Sequence, residues 1–288
     1  MKEDFVPEQP NSVLAAAIAR SRTKLFVTLI VTTIGCTVLT FLPPPPGEVF
    51  YSNVLAVAAS GSALAMSLQV IYRQKIKGLF PRLYASLGLA LAFWFIAETI
   101  WMYYELIVGI ETPTPSIADA FWLAGYVPFF YFLLGILRNF AGSSKSLLLP
   151  IVLISSIGLV LLGNIIFSIS QSADLTSEEG IMTYLVNAAY PVADMFLIVP
   201  ALAAFIMLRK GRLTFTPWAF IVTATFIFII ADLGFAYFIV MGLDETIWIW
   251  NPLYILGDLA IASSLFWHKA FYTVDEKKAM KDWQEKNR

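Results

Sequence analysis

Charge is scarce in this sequence. Asp, Glu, Lys and Arg make up 14% of its 288 residues, against about 25% in an ordinary soluble domain. Apart from Lys269 at the boundary of the last one, Lys and Arg are missing from the long apolar runs, and the net charge of −1 carries little meaning because the charges are segregated. The single cysteine, Cys36, excludes a disulfide within the chain and leaves the redox compartment unreadable. The single histidine, His268, excludes a multi-histidine zinc site. It also lies at the wrong end of the last apolar run to complete a Ser/His/Asp triad with the acids described below. There is no Gly-rich phosphate loop and no G-x-S-x-G elbow. Lys269 sits at the boundary of the last run and not deep within it, which excludes a retinal Schiff base. The basic loops are small and follow from topology, so no nucleic-acid partner is expected.

What is present is apolar length. Hydrophobic residues make up 59% of the chain and aromatics 15%. Several runs reach the ~20 residues needed to cross about 30 Å of hydrocarbon. Eight spans are expected, at about 25–43, 54–72, 83–108, 116–137, 147–169, 181–208, 217–241 and 249–271. The Pro43–Pro46 run ends the first, because proline lacks an N–H and clashes with the preceding turn. Ser116, after the Thr112–Pro115 turn, is a plausible N-cap for the fourth. Residues 13–24 read as a short interfacial helix, and no removable signal peptide is expected. All 19 basic residues then fall on one side of the membrane, while the alternate loops carry Glu48, Glu111, Asp174, Glu178, Glu179, Asp244 and Glu245. The positive-inside rule places both termini in the cytoplasm. The expectation is an all-α integral membrane protein of the cell membrane. It has a cytoplasmic segment 1–24, a membrane domain 25–271 and a charged cytoplasmic tail 272–288. The lipid bilayer is its first partner, and the oligomeric state is unreadable.

An internal repeat runs through the second half. Asn187–Asp194 and Asn251–Asp258 both read N-x-x-Y-x-x-x-D. Tyr126, Tyr190 and Tyr254 are spaced by 64 and 64 residues, and Glu98, Asn164 and Asp232 by 66 and 68. Three related helical hairpins, 3–4, 5–6 and 7–8, follow an N-terminal helix pair. Repeats of this kind often set a site at their interface.

Six carboxylates fall within the spans: Glu98, Glu105, Asp119, Asp194, Asp232 and Asp258. An acid at the centre of a span costs about 3 kcal/mol to insert, and such residues normally face the bundle interior. With no basic residue at depth, they are protonated, or they bind a metal or a cationic ligand, or they line a wet cavity. Counting depth along the helices puts Glu105 and Asp119 near the outer surface, where they read as hydrated. Glu98, Asp194, Asp232 and Asp258 read as a shared polar interior, or else as interhelical glue bonded to neighbouring helices. Helical spacing joins Trp94, Glu98, Trp101 and Glu105 in one stripe, Asn187, Tyr190 and Asp194 in a second, and Asn251, Tyr254 and Asp258 in a third. Carboxylates beside aromatic rings suit a cation or an amphipathic organic ligand, and they also suit plain packing. No cofactor is expected, although carboxylates alone can hold Mg²⁺, Mn²⁺ or Ca²⁺. Trp248 and Trp250 read as interfacial belt residues.

The stretches Trp101…Tyr104-Glu105…Pro115–Tyr126, then Ala189–Asp194, then Ala231–Leu233 resemble a multi-span N-terminal membrane region. That region is found in prokaryotic signalling proteins ahead of diguanylate cyclase, phosphodiesterase or histidine kinase domains. The resemblance covers most of residues 85–268 and implies a membrane sensor. No such output domain follows helix 8 in this sequence, so the output implied is through a separate signalling partner. The leading expectation is a non-enzymatic sensory or ligand-binding module with an outward-facing acidic and aromatic pocket and no catalytic residues. A proton- or cation-coupled secondary transporter is the alternative. A carboxylate-metal membrane enzyme and a structural subunit of a membrane complex follow.

Overall fold

The computed structural model describes residues 12–41, 47–74, 79–111, 113–140, 148–209, 215–241, 243 and 249–269. The described residues form eight α-helices and no strand: α1 (Ser12–Phe41), α2 (Gly47–Gln74), α3 (Leu79–Met102), α4 (Ile117–Phe140), α5 (Leu148–Ser172), α6 (Glu178–Arg209), α7 (Phe215–Val240) and α8 (Asn251–Trp267). Six of these, α1 to α4, α6 and α7, are long and apolar enough to cross a membrane. The described part of α5 gives a shorter apolar helix, Ser156–Gln171. α8 has 17 residues, about 25 Å of helix at ~1.5 Å per residue. The chain is a multi-pass α-helical membrane protein.

Six helices close into a ring. In order around it, α2 packs on α3, α3 on α4, α4 on α6, α6 on α7, α7 on α8, and α8 back on α2. α1 lies outside, against α8 and α2, and α5 lies outside, against α6 and α7. The two outer helices expose apolar side chains, such as Val31 and Ile34 on α1 and Ile157 and Val160 on α5. In water such surfaces would aggregate; in lipid they are simply solvated. Because lipid is itself apolar, helix association in the bilayer rests on close packing and interhelical hydrogen bonds. The ring is built accordingly. Ala63, Ala90, Ala201, Ala204, Ala224 and Ala260 are buried at its contacts. Gly125 lets α4 approach α3 so closely that a Cβ there would meet Trp94 Nε1 at 2.3 Å, and a Cβ on Gly257 would meet Phe228 Cε1 at 2.5 Å. Two serines bridge helices through proline carbonyls: Ser86 Oγ donates to Pro128 O at 2.7 Å between α3 and α4, and Ser264 Oγ to Pro217 O at 2.7 Å between α8 and α7.

Local signals explain the helix ends nearest the site. Ser116 caps α4: the Ala118 amide donates to its Oγ at 3.2 Å, and Asp119 Oδ2 accepts the Ser116 amide at 2.7 Å. This is a reciprocal capping box that satisfies amides left over at the helix start. The neighbouring Thr114–Pro115 bond is cis.

Two features differ from the sequence expectation. α1 is one continuous helix from Ser12, because nothing between residues 13 and 24 stops a helix; the interfacial helix and first span are a single element. α3 passes without a break into a π-helical turn, Tyr103–Val108, that ends on Gly109 in the left-handed region at φ 75°. The wider turn lies at the far end of the stripe Trp94, Glu98, Trp101 and Glu105, and Trp101 still hydrogen-bonds Glu105 there. The tail 272–288, Trp248 and the loop acids Asp244 and Glu245 lie outside the described residues.

Candidate functional site

The ring encloses a cavity of about 160 Å³. Every ring helix contributes to its wall: Ser52, Asn53 and Ala56 from α2; Trp94, Glu98 and Trp101 from α3; Asp119, Trp122 and Tyr126 from α4; Asn187, Tyr190 and Leu197 from α6; Phe228, Asp232, Phe235 and Ala236 from α7; Asn251, Tyr254 and Asp258 from α8. Ile169 of α5 completes it, and Thr114, exposed in the turn before α4, carries it to the surface. Most of these positions lie toward the end of the bundle where α2, α4, α6 and α8 begin, with Trp94, Leu197 and Phe228 near mid-helix or beyond. Among the described residues, the wall combines four carboxylates with eight aromatic rings and contains no Lys, Arg or His.

Toward the other end the interior is filled with rings. Trp94 packs on Phe129 and Phe228 at centroid distances of 5.2 and 5.4 Å. Phe129 stacks on Phe132 at 6.3 Å, and Phe132 on Trp218 at 5.9 Å. Tyr84 meets Phe132, Trp218 and His268 at 5.8, 6.3 and 4.6 Å. Beyond this layer, Lys269 donates to Gln69. The polar cavity is therefore one-sided within the bundle.

Beneath the cavity sits a carboxyl pair. Asp194 on α6 is 1% exposed, and it lies within hydrogen-bonding reach of Asp232 on α7. The Tyr126 hydroxyl lies 3.0 Å from Asp194 Oδ1 and 2.8 Å from Asp232 Oδ2. The Tyr254 hydroxyl donates to Asp232 Oδ1 at 2.6 Å. Two phenols supply two protons, while the network has three phenol–carboxyl contacts and one carboxyl–carboxyl contact. A carboxylic acid proton must supply a further donor. Asp194 Oδ2 is buried and receives no hydrogen bond from a described donor, so that proton has a place to reside or to be received.

The remaining acids are held differently. Glu98 Oε1 accepts Trp122 Nε1–H at 3.2 Å, and Trp94 Nε1–H reaches the Trp122 carbonyl at 3.1 Å. The Trp101 and Trp122 rings are 5.4 Å apart. Asp258 is 7% exposed, lines the cavity, and takes no hydrogen bond from any described residue. Tyr190 donates to Asp119 Oδ1 at 2.8 Å. Asn251 Nδ2 donates to Ser52 Oγ at 2.5 Å. Glu105 is not on the cavity wall, but it accepts hydrogen bonds from two residues that are, Asn53 Nδ2–H at 2.5 Å and Trp101.

Of the residues singled out from sequence, Glu98, Asp232, Asp258, Tyr126, Tyr190, Tyr254, Asn187, Asn251 and Trp101 line the cavity, and Asp194 lies behind its wall. Asp119 differs from its reading as a hydrated surface acid: it is 7% exposed, because the capping box and Tyr190 fold it inward. Asn164, the repeat counterpart of Glu98 and Asp232, is exposed on α5 and bonds its own helix at Val160 O. Trp250 covers Gly234 and packs 5.2 Å from Phe238 instead of lying on the cavity wall. Ser52 and Asn53 were missed because the apolar run of α2 reads as starting at 54, which leaves them in a loop. Phe228 and Phe235 were missed because α7 is apolar on every side and no face of it stands out. Among the described residues no three Asp, Glu, His or Cys side chains are grouped so as to hold a metal ion.

Fold and cavity together define a multi-pass α-helical membrane protein with an acidic, aromatic-walled chamber at one end. No known protein family, curated protein or solved structure matches the chain.

Proposed function

We propose that the protein is a non-enzymatic sensory or ligand-binding membrane module whose chamber opens to the outside of the cell membrane. The observation that carries this is the one-sidedness of the polar interior: carboxylates and aromatics gather at one end, and the stacked ring layer from Trp94 to Tyr84 fills the other. A transport pathway needs polar groups through the full thickness; a receptor pocket needs them at one face only. The basic residues, all on the opposite side of an eight-span arrangement, support an outward chamber and cytoplasmic termini. The repeated Tyr and acid positions support an origin of the chamber in duplicated hairpins. The resemblance to sensor regions of signalling proteins supports an output through a separate cytoplasmic or membrane partner. In mechanism, an occupant shifts the contacts among α4, α6, α7 and α8 that meet at Asp194 and Asp232, and the change in packing is read at the other end.

One observation favours a second reading. The Asp194–Asp232 pair, with its shared proton, is the kind of group a proton-coupled transporter uses. Reconstitution separates the two. A receptor gives saturable ligand protection of the purified chain and no flux in proteoliposomes. Electrogenic or pH-coupled flux that Asp194→Asn abolishes would replace the receptor reading with a transporter.

A further inference from the structure

The chamber's chemistry narrows what can occupy it. Asp258 is 7% exposed, aimed into the cavity, and without a hydrogen bond from any described residue. A carboxyl so placed, with no donor among the described residues, takes its hydrogen bonds from whatever occupies the cavity. Glu98 lines the same cavity and has one donor among the described residues, the Trp122 indole. Around them the surface is mostly ring carbon, with the Trp101–Trp122 pair beside Glu98. We propose that the chamber binds a small organic ammonium ion, with Asp258 and Glu98 as counter-ions and the surrounding indole and phenol rings as its apolar and cation–π wall.

This rests on the reading of the cavity as a ligand pocket. Its charge follows from a wall that holds four carboxylates and no basic group. The organic character follows from the donor set. A hard metal ion takes six or more oxygens in Ca²⁺ sites, and the described residues do not group three acids for it. Aromatic faces instead attract a diffuse cation through the ring quadrupole. An ammonium N–H supplies the donor that Asp258 lacks, and the carbon part occupies space that hydration would fill poorly.

The test uses the full chain in nanodiscs, with tryptophan fluorescence and the thermal unfolding midpoint as readouts. The probes are phenethylammonium, its neutral analogue phenethyl alcohol, and Ca²⁺. Saturable binding of phenethylammonium, at least about tenfold tighter than the alcohol, is expected, with at least about tenfold weakening in Asp258→Asn. Glu98→Gln is the second variant, and it reports if Asp258→Asn fails to fold. Asp174→Asn, in an exposed loop and not itself on the cavity wall, should bind as the wild type does. Equal binding of the ammonium and the alcohol overturns the proposal, as does wild-type affinity in both acid variants. Ca²⁺ binding more tightly than the ammonium and displacing it overturns the organic class. Saturable binding of the alcohol alone removes the cation but keeps the pocket. If no probe binds saturably, the ammonium class and the receptor reading fall together.

Discussion

Asn251, in the first turn of α8, donates a 2.5 Å hydrogen bond to Ser52 in the first turns of α2. The two residues are 199 positions apart, and their bond ties the last helix of the ring to the first. Ring closure is what makes one chamber out of side chains carried on six separate helices.

Tyr126 holds the carboxyl pair from above, with contacts to both Asp194 and Asp232. Tyr126→Phe removes both and leaves buried carboxyl oxygens short of a donor, a loss of about 1–3 kcal/mol. Reversible denaturation in mixed micelles should show it. Tyr72→Phe, at a side chain 87% exposed, should stay within about 0.5 kcal/mol of wild type in the same assay.

Close approach of α3 and α4 depends on a missing side chain. Gly125→Ala puts a methyl 2.3 Å from Trp94 Nε1, which must move the indole away from the Trp122 carbonyl. The expected cost is about 1–3 kcal/mol, seen as a lower unfolding midpoint together with a changed tryptophan emission. Gly163→Ala on α5, with no atom within 4 Å of the new methyl, should instead stabilise its helix by about 0.5–1 kcal/mol.

The loop before α6 carries a pH dependence of its own. The Thr176 hydroxyl, the Ser177 hydroxyl and the Thr176 amide all donate to Asp174, and they hold its carboxyl at about 2, below the ordinary 3.8. Its ordering of the α6 start is therefore whole above 3.8 and is lost as the pH falls toward about 2. Amide exchange at Gly180 and Ile181, whose N–H groups bond to Ser177, should speed up over that window. In Asp174→Asn the extra low-pH acceleration should vanish.

Orientation is open to direct chemistry. Thr114 is exposed at the cavity mouth, and Cys36 is the only cysteine. In a Cys36→Ser background, Thr114→Cys should react with a membrane-impermeant thiol reagent added to intact cells. Labelling only after the cells are opened would reverse the topology and place the chamber on the cytoplasmic side.

Much of the helical framework was legible because it follows from local chemistry. Apolar runs, a proline stop after α1 and the Ser116 cap before α4 each act within a few residues; the observed helices overlap the expected spans, although α1 and α2 begin earlier and six of the eight described are long and apolar enough to cross a membrane. The residue types of the site were legible too, since an acid inside an apolar run stands out wherever the helix packs. Glu105 shows where that reasoning stops. Its stripe neighbour Trp101 bonds to it, but so does Asn53 of α2, and the carboxyl they hold is not on the cavity wall.

By itself the sequence determined a helical, membrane-spanning chain with acids and tyrosines set among apolar residues, because length, hydropathy and capping are properties of single segments. Only the tertiary structure decided which of those residues meet. It turned Asp119 inward, left Asn164 on the outside of α5, paired Asp194 with Asp232 under Tyr126, and left Asp258 facing the cavity without a donor among the described residues. Spacing fixes the face of a helix a residue occupies. Its partners depend on how neighbouring helices rotate and how closely they approach, and that was set here by glycines, proline carbonyls and ring-to-ring packing between segments far apart in the chain.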